Sequence, residues 1–315
     1  MLLSFTHKCL RQSAFGPPDR HGICAGVSDS TAGSHRDRPL THRTAAERDG
    51  IDRKGHRSNR RAQTRLETLA ARPEAGINAA CDTWPETQAA DRFCDHPDVT
   101  PEAIHQPHYQ ATRRRIRQQP VILDVQDTTA LDDTKHPPKG VRCLAREHRR
   151  GLSAHLRSAV PPNEQNLGRL GVEYFDRAAE TLGRSVKRRP LPVAGKERLR
   201  GLGGYRGACR LAAACPETPV VTVADREADS DDMFVAWQRV AGPRAALLIR
   251  AEPVRRTAAP GPPAGRTVFE EVAASAVRER KAVALPATPK RTARTAALEI
   301  RAKAVTVLPP VARSH

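Results

Sequence analysis

An α/β fold is predicted by three observations. Two short apolar runs, Val121-Ile-Leu-Asp-Val-Gln-Asp127 and Val220-Val-Thr-Val-Ala-Asp225, read as buried strands that each deliver a carboxylate at the C-terminal end, where open α/β sheets gather their chemistry. A third aliphatic run, Ala245-Ala-Leu-Leu-Ile-Arg250, has the same character. Helical segments alternate with these strands through the middle of the chain, the pattern of an α/β core.

The elements follow in order. Residues 1 to about 45 carry no sustained period and are rich in Gly, Pro, Ser, His and Arg, so they read as a disordered or unrelated leader. Residues 46–119 read as a helical region, 120–250 as the core and 251–315 as a stretch of further strand-like segments. Leu66, Leu69 and Ala70 have helical spacing, and Pro73 ends that helix. A second helix fits Thr87 to Phe93. A third fits Thr100 to Gln119, opened by Thr100-Pro101-Glu102 and closed by Pro120. Residues 130–165 are loop-rich, with a short strand over Leu152 to Val160. Lys196 to Ala214 reads as a helix interrupted by Gly201-Leu-Gly-Gly204, and Asp229 to Val240 as another helix. Strand-like stretches lie near Arg266 to Phe269 and near Leu298 to Leu308. No internal repeat is present.

Composition bounds the function. The 315 residues carry 53 Lys and Arg against 35 acids, a net charge of +18. That balance points to a polyanionic partner, nucleic acid above all. Ten basic residues against four acids lie between Ser34 and Leu66. Hydrophobic residues make up 38% and aromatics 3%, which predicts a thin aliphatic core. Seven cysteines form no CxxC pair; their odd count argues against a complete disulfide framework, and their lack of clustering against a thiolate metal site. No apolar run approaches spanning length and no signal peptide is read, so a cytoplasmic location follows.

Two motifs carry chemistry. Asp127 precedes Thr128 and Thr129, and its carboxylate reads as a metal ligand or as a cap of the next turn. Asp225-Arg-Glu-Ala-Asp229 packs three carboxylates and a guanidinium behind a strand. A helix N-terminus, where acids are favoured by the dipole, accounts for Glu227 and Asp229 better than for Asp225. Together Asp127 and Asp225 suit magnesium, which takes one or two carboxylates and leaves other positions to water and phosphate. Other signals are weaker. Leu123-Asp124-Val-Gln-Asp127 is one residue too long for a phosphatase-type aspartate pair. Gly201-Leu-Gly-Gly-Tyr-Arg-Gly207 lacks the last dinucleotide-binding glycine and reads as a loop within a helical region. His105-Gln-Pro-His108 reads as exposed, because Pro107 would break the helix needed to align its rings.

Asp127-Thr128-Thr129 and the nearly literal Asp225-Arg-Glu-Ala-Asp229 resemble the first two acid motifs of DDE transposases of the IS-four, Tn-five-like type. Asn59-Arg-Arg61 with the Leu-rich helix after it, Ala90-Asp-Arg-Phe93, Arg150-Gly-Leu152 with His155, Lys196-Glu197 and Leu248-Ile-Arg250 are similar to further segments of that family in order. The resemblance implies a helical DNA-binding domain over 46–119, an RNase H-like mixed-sheet core over 120–250 that cuts and joins DNA ends using Mg²⁺ or Mn²⁺, and a partial β-rich insertion over 251–315. It gives Asp127 and Asp225 as catalytic metal ligands, with Thr128, Arg226, Glu227 and Asp229 around them. It gives Lys54, Arg57, Arg60, Arg61, Arg65, Arg92 and Arg250 as DNA-binding residues. Double-stranded transposon ends and a full-length transposase are the implied partners, with nucleoid association.

The chain departs from the family at its end. The third acid belongs to a Tyr-x-x-Arg-Trp-x-x-Glu helix beyond a β-rich insertion. Neither Trp84 nor Trp237 lies in such a motif, and Glu252, Glu270, Glu271 and Glu299 lack its context. The expectation is a C-terminally truncated transposase keeping two of three acids. A non-catalytic DNA-binding repressor of a full-length relative and a non-functional relic are the alternatives.

Overall fold

The computed structural model describes residues 47, 56–72, 75–97, 99–135, 137, 141, 144, 149–162, 166–175, 198–258, 265–289 and 291–308. The expected leader, Lys54 and Lys196-Glu197 lie outside them. Near the N-terminus, α1 (His56–Ala71), α2 (Ile77–Ala80) and α3 (Trp84–Cys94) pack through Ala62, Leu69, Ile77, Ala80, Ala90 and Phe93. The α1 helix stops before Pro73, as its sequence predicts. At the start of α3, Thr83 accepts a hydrogen bond from the Glu86 N–H while the Glu86 carboxylate accepts from the Thr83 N–H. That reciprocal cap satisfies two donors a helix start leaves open.

The next helix, α4 (Pro101–Ile116), is capped by Thr100 and runs unbroken through Pro107. The expected break does not occur. Proline removes one backbone donor, and burial of Ile104, His105, Thr112 and Ile116 holds the helix around it. His105 and His108 are not exposed rings. His105 is buried, and His108 bonds Glu47 at 2.7 Å and the Arg169 N–H at 2.8 Å.

A five-stranded mixed sheet forms the centre. Its strands are β1 (Ile122–Asp132), β2 (Gly151–Val160), β3 (Gly168–Phe175), β4 (Val220–Ala224) and β5 (Ala246–Ile249), in the order β3-β2-β1-β4-β5. β1, β2 and β3 are antiparallel neighbours, while β4 runs parallel to both β1 and β5. The mixed α/β class matches the sequence expectation.

Helices α5 (Arg198–Ala214) and α6 (Asp231–Arg239) join the sheet in one core, where Leu202, Tyr205, Leu211 and Met233 cluster with Ile122, Ala159, Val220 and Ala245. Ile116, Ile122 and Met233 are almost fully buried, each contributing about 1.5–3 kcal/mol of transfer free energy. The α4 helix approaches β3 at Gly168 (φ 145°), where a Cβ would lie 2.3 Å from Thr112 Oγ1.

Four sequence expectations are corrected. Asp127 is not at a strand end: β1 continues to Asp132, paired with β2 from Leu123 onward. The α5 helix is not interrupted at Gly201–Gly204; it runs on through Ala214, with Gly204 and Gly207 lying against Gln126 and Arg157 of the sheet. The stretch near Arg266 to Phe269 enters a helix, α7 (Val268–Ala273), capped by Thr267 and Glu270. The strand expected near Leu298 to Leu308 is β7 (Arg294–Arg301), which ends earlier and pairs with an unforeseen strand, β6 (Val277–Leu285), in a two-stranded ribbon. No helix among the described residues is long and apolar enough to cross a membrane.

Candidate nucleic-acid interface and carboxylate cavity

Parallel pairing of β1 with β4 matches Asp124 to Thr222 and Val125 to Val223. Two residues further along stand Asp127, still on β1, and Asp225, just past the end of the neighbouring strand β4. Both border a cavity of about 150 Å³ with Thr128, His155, Arg200 and Glu227. Sequence separation hides this meeting; strand register produces it.

Asp225 begins a short 3₁₀ turn, and its Oδ1 accepts from the Glu227 N–H at 3.0 Å. The capping reading and the cavity position therefore hold together for one side chain. Asp127 and Asp225 are both exposed. Behind them, Thr128 Oγ1 lies 2.9 Å from His155 Nδ1, and Gln126 Oε1 lies 3.2 Å from His155 Nε2. Burial pushes the His155 imidazole below its ordinary value of 6.5. On another wall the Arg200 guanidinium sits over the Phe175 ring, 3.3 Å from its centroid. The cavity thus sets carboxylates and a cation around one space.

The other acid-motif residues divide. Glu227 lines the cavity. Asp229 does not: its Oδ1 meets Arg255 Nε at 2.7 Å, and its Oδ2 accepts from the Glu252 N–H at 2.6 Å. It therefore fastens the chain after β5. Arg226 has a buried Nε without a hydrogen-bond partner among the described residues. Arg250 is exposed, and its backbone N–H donates to Ala224 O at 3.0 Å, extending the β4–β5 ladder. Gln126, Ser153, Phe175 and Arg200 also line the cavity. Sequence reading passed over them, and only the position of Gln126 beside Asp127 offered a signal.

The donor set suits a cation held by two carboxylates, with water and substrate oxygens completing the sphere. It does not make an all-protein cage, since among the described residues no three His, Cys, Asp or Glu side chains gather as metal ligands.

The basic residues of the N-terminal helices present a separate surface. Arg60 and Arg61 are exposed on α1, and Arg92 is exposed in the last turn of α3. Arg65 turns inward, with Nη1 3.9 Å from Cys81 Sγ. Arg57 lies in α1. Glu47 ties this region to α4 through His108 and Arg115, at 2.7 and 2.8 Å. No curated protein matches the chain. Residues 44–99 match the family model described as transposase DNA-binding, which supports DNA as partner and a transposase-related DNA-binding role for this protein.

Proposed function

We propose that this protein is a DDE transposase-like protein of the IS-four type, which binds duplex transposon ends through residues 44–99 and holds a partial phosphodiester-cleavage site. The observation that carries the reading is the meeting of Asp127 and Asp225 at one cavity, in a chain with a transposase DNA-binding match. The mixed five-stranded sheet supports an RNase H-like core. Asp127 and Asp225 would hold Mg²⁺ or Mn²⁺, which when bound polarises a phosphoryl oxygen. His155 braces Thr128 and Gln126 on either side of Asp127. Arg200, steadied by Phe175, supplies positive charge for a phosphodiester. Arg60 and Arg61 neutralise backbone phosphates.

Without a third carboxylate in a ligand cluster among the described residues, strand transfer by this chain alone is expected to be slight. The same observation favours a second reading, a non-catalytic DNA binder that competes with a full-length relative for its ends. Incubating the purified chain with Mg²⁺ and end-containing duplexes separates the two. Weak cleavage lost in Asp225→Ala supports the partial site. No cleavage, with binding unaltered in Asp127→Ala and Asp225→Ala, supports the competitor. Robust cleavage and joining would contradict an incomplete site.

A further inference from the structure

The β6–β7 ribbon carries a charge pattern that its own fold leaves unanswered. Between Val277 and Arg301 the sequence holds seven Lys and Arg against two Glu. Glu299 is shared by Arg280 at 3.2 Å and Arg301 at 2.7 Å. Arg278, Lys281, Arg291 and Arg294 are exposed, and their side chains make no ion pair or hydrogen bond among the described residues.

They are spread along the ribbon, and two of them share a face. The register irregularity between Val277 and Glu279 leaves Arg278 outside the ladder. Lys281 pairs with Leu298 and Leu285 with Arg294, so Lys281 and Arg294 project from one face four residues apart. At about 3.3 Å per residue that separation is roughly 13 Å. Arg291 closes the Thr288–Arg291 bridge at the tip. From Arg278 to the tip the ribbon extends for about 30 Å, close to the roughly 34 Å turn of a DNA duplex.

We infer that the β6–β7 ribbon is a second, sequence-independent duplex-DNA contact, gripping backbone phosphates through Arg278, Lys281, Arg291 and Arg294. Four cations on an exposed ribbon, without an ion pair among the described residues, call for a polyanion, and their spread suits an extended one. The ribbon has no Phe, Tyr or Trp, so it lacks the stacking platform that single-stranded nucleic acid uses. The inference rests on duplex DNA being the partner, and adds a contact outside residues 44–99.

Fluorescence anisotropy of the full chain against a mixed-sequence duplex, across a salt series, tests it. Three proteins are compared: the natural chain, Arg60→Ala/Arg61→Ala, and the fourfold variant Arg278→Gln/Lys281→Gln/Arg291→Gln/Arg294→Gln. All four positions of that variant are exposed, and unchanged circular dichroism verifies its fold. Each phosphate contact contributes about 0.9 to the slope of log K against log salt. The fourfold variant is expected to lower that slope by roughly 2–4, with affinity reduced about 10- to 100-fold at low salt. An unchanged slope, while the α1 variant weakens, overturns the ribbon contact and leaves the DNA-binding reading standing. No salt-dependent binding by the natural chain overturns both. Tighter binding to single strands overturns the duplex assignment. Ribbon-dependent binding to phosphatidylserine vesicles, with duplex affinity unchanged, assigns the patch to anionic lipid instead.

Discussion

Asp124 and Arg157 show how a single pair sets the sheet beneath the cavity. Asp124 is fully buried on β1, and Arg157 Nε on β2 donates to its carboxylate at 3.1 Å. Burial raises the Asp124 carboxyl above its ordinary value, and the guanidinium opposes that rise. Removing the partner strands the carboxylate in the core, so Arg157→Ala is expected to cost about 3–5 kcal/mol. Urea denaturation reads this directly, and a loss below about 1 kcal/mol would show that water already reaches the pair. His155 gives a pH-dependent counterpart. Its folded value lies below 6.5, so the unfolded chain takes up the proton first as pH falls. Stability should therefore drop as pH falls through 6.5 and level off below the folded value. His155→Gln should flatten that part of the profile; an identical slope in the variant would place His155 in water. Asp124 was conspicuous in the sequence as an acid inside an aliphatic run, and His155 through the family resemblance. Arg157 was not, since its partner lies 33 residues away and is fixed by register alone.

At the scale of the element, α5 explains why the glycines misled. Glycine costs helix about 1 kcal/mol against alanine, so a Gly-rich run reads as a break. Packing reverses that weakness. A Cβ at Gly204 would lie 2.2 Å from Gln126 Oε1, and one at Gly207 would lie 2.0 Å from Arg157 Nη1. Those glycines let polar side chains of β1 and β2 lie directly under the helix. Gly203 is exposed, and a Cβ there meets nothing within 4 Å. Opposite signs follow for two adjacent substitutions. Gly203→Ala should stabilise by about 0.5–1 kcal/mol, whereas Gly204→Ala should destabilise by roughly 1–3 kcal/mol through overpacking. Thermal melts of both variants measure this, and a shift of the same sign in both would contradict the packing account. The helix over Pro107 persisted for a similar reason, through buried neighbours. The β3 strand escaped notice because Gly168, Gly171 and Glu173 blur its alternation.

Over the whole molecule, the α/β class was legible from three aliphatic runs, whereas β3, β6 and the helical state of Val268–Ala273 were not. What linear sequence did not display was how the helical region attaches to the sheet. His108 Nε2 accepts from the Arg169 N–H, so its proton sits on Nδ1 and is donated to Glu47. One ring thus links the DNA-binding match, α4 and β3. The charge of +18 also takes on a distribution: exposed arginines on α1, a cationic ribbon near the C-terminus, and acids collected at the cavity. Under the proposed function, such an arrangement would separate gripping a duplex from any chemistry performed on it.

That separation is tested most directly by selecting end sequences from a randomised duplex pool with the full chain, then measuring affinity for the winners. The account predicts salt-dependent binding that falls about 10-fold or more in Arg60→Ala/Arg61→Ala, and stays within about twofold in Asp127→Ala/Asp225→Ala. Binding that is insensitive to salt, or that depends on the aspartates and not on α1, would contradict it.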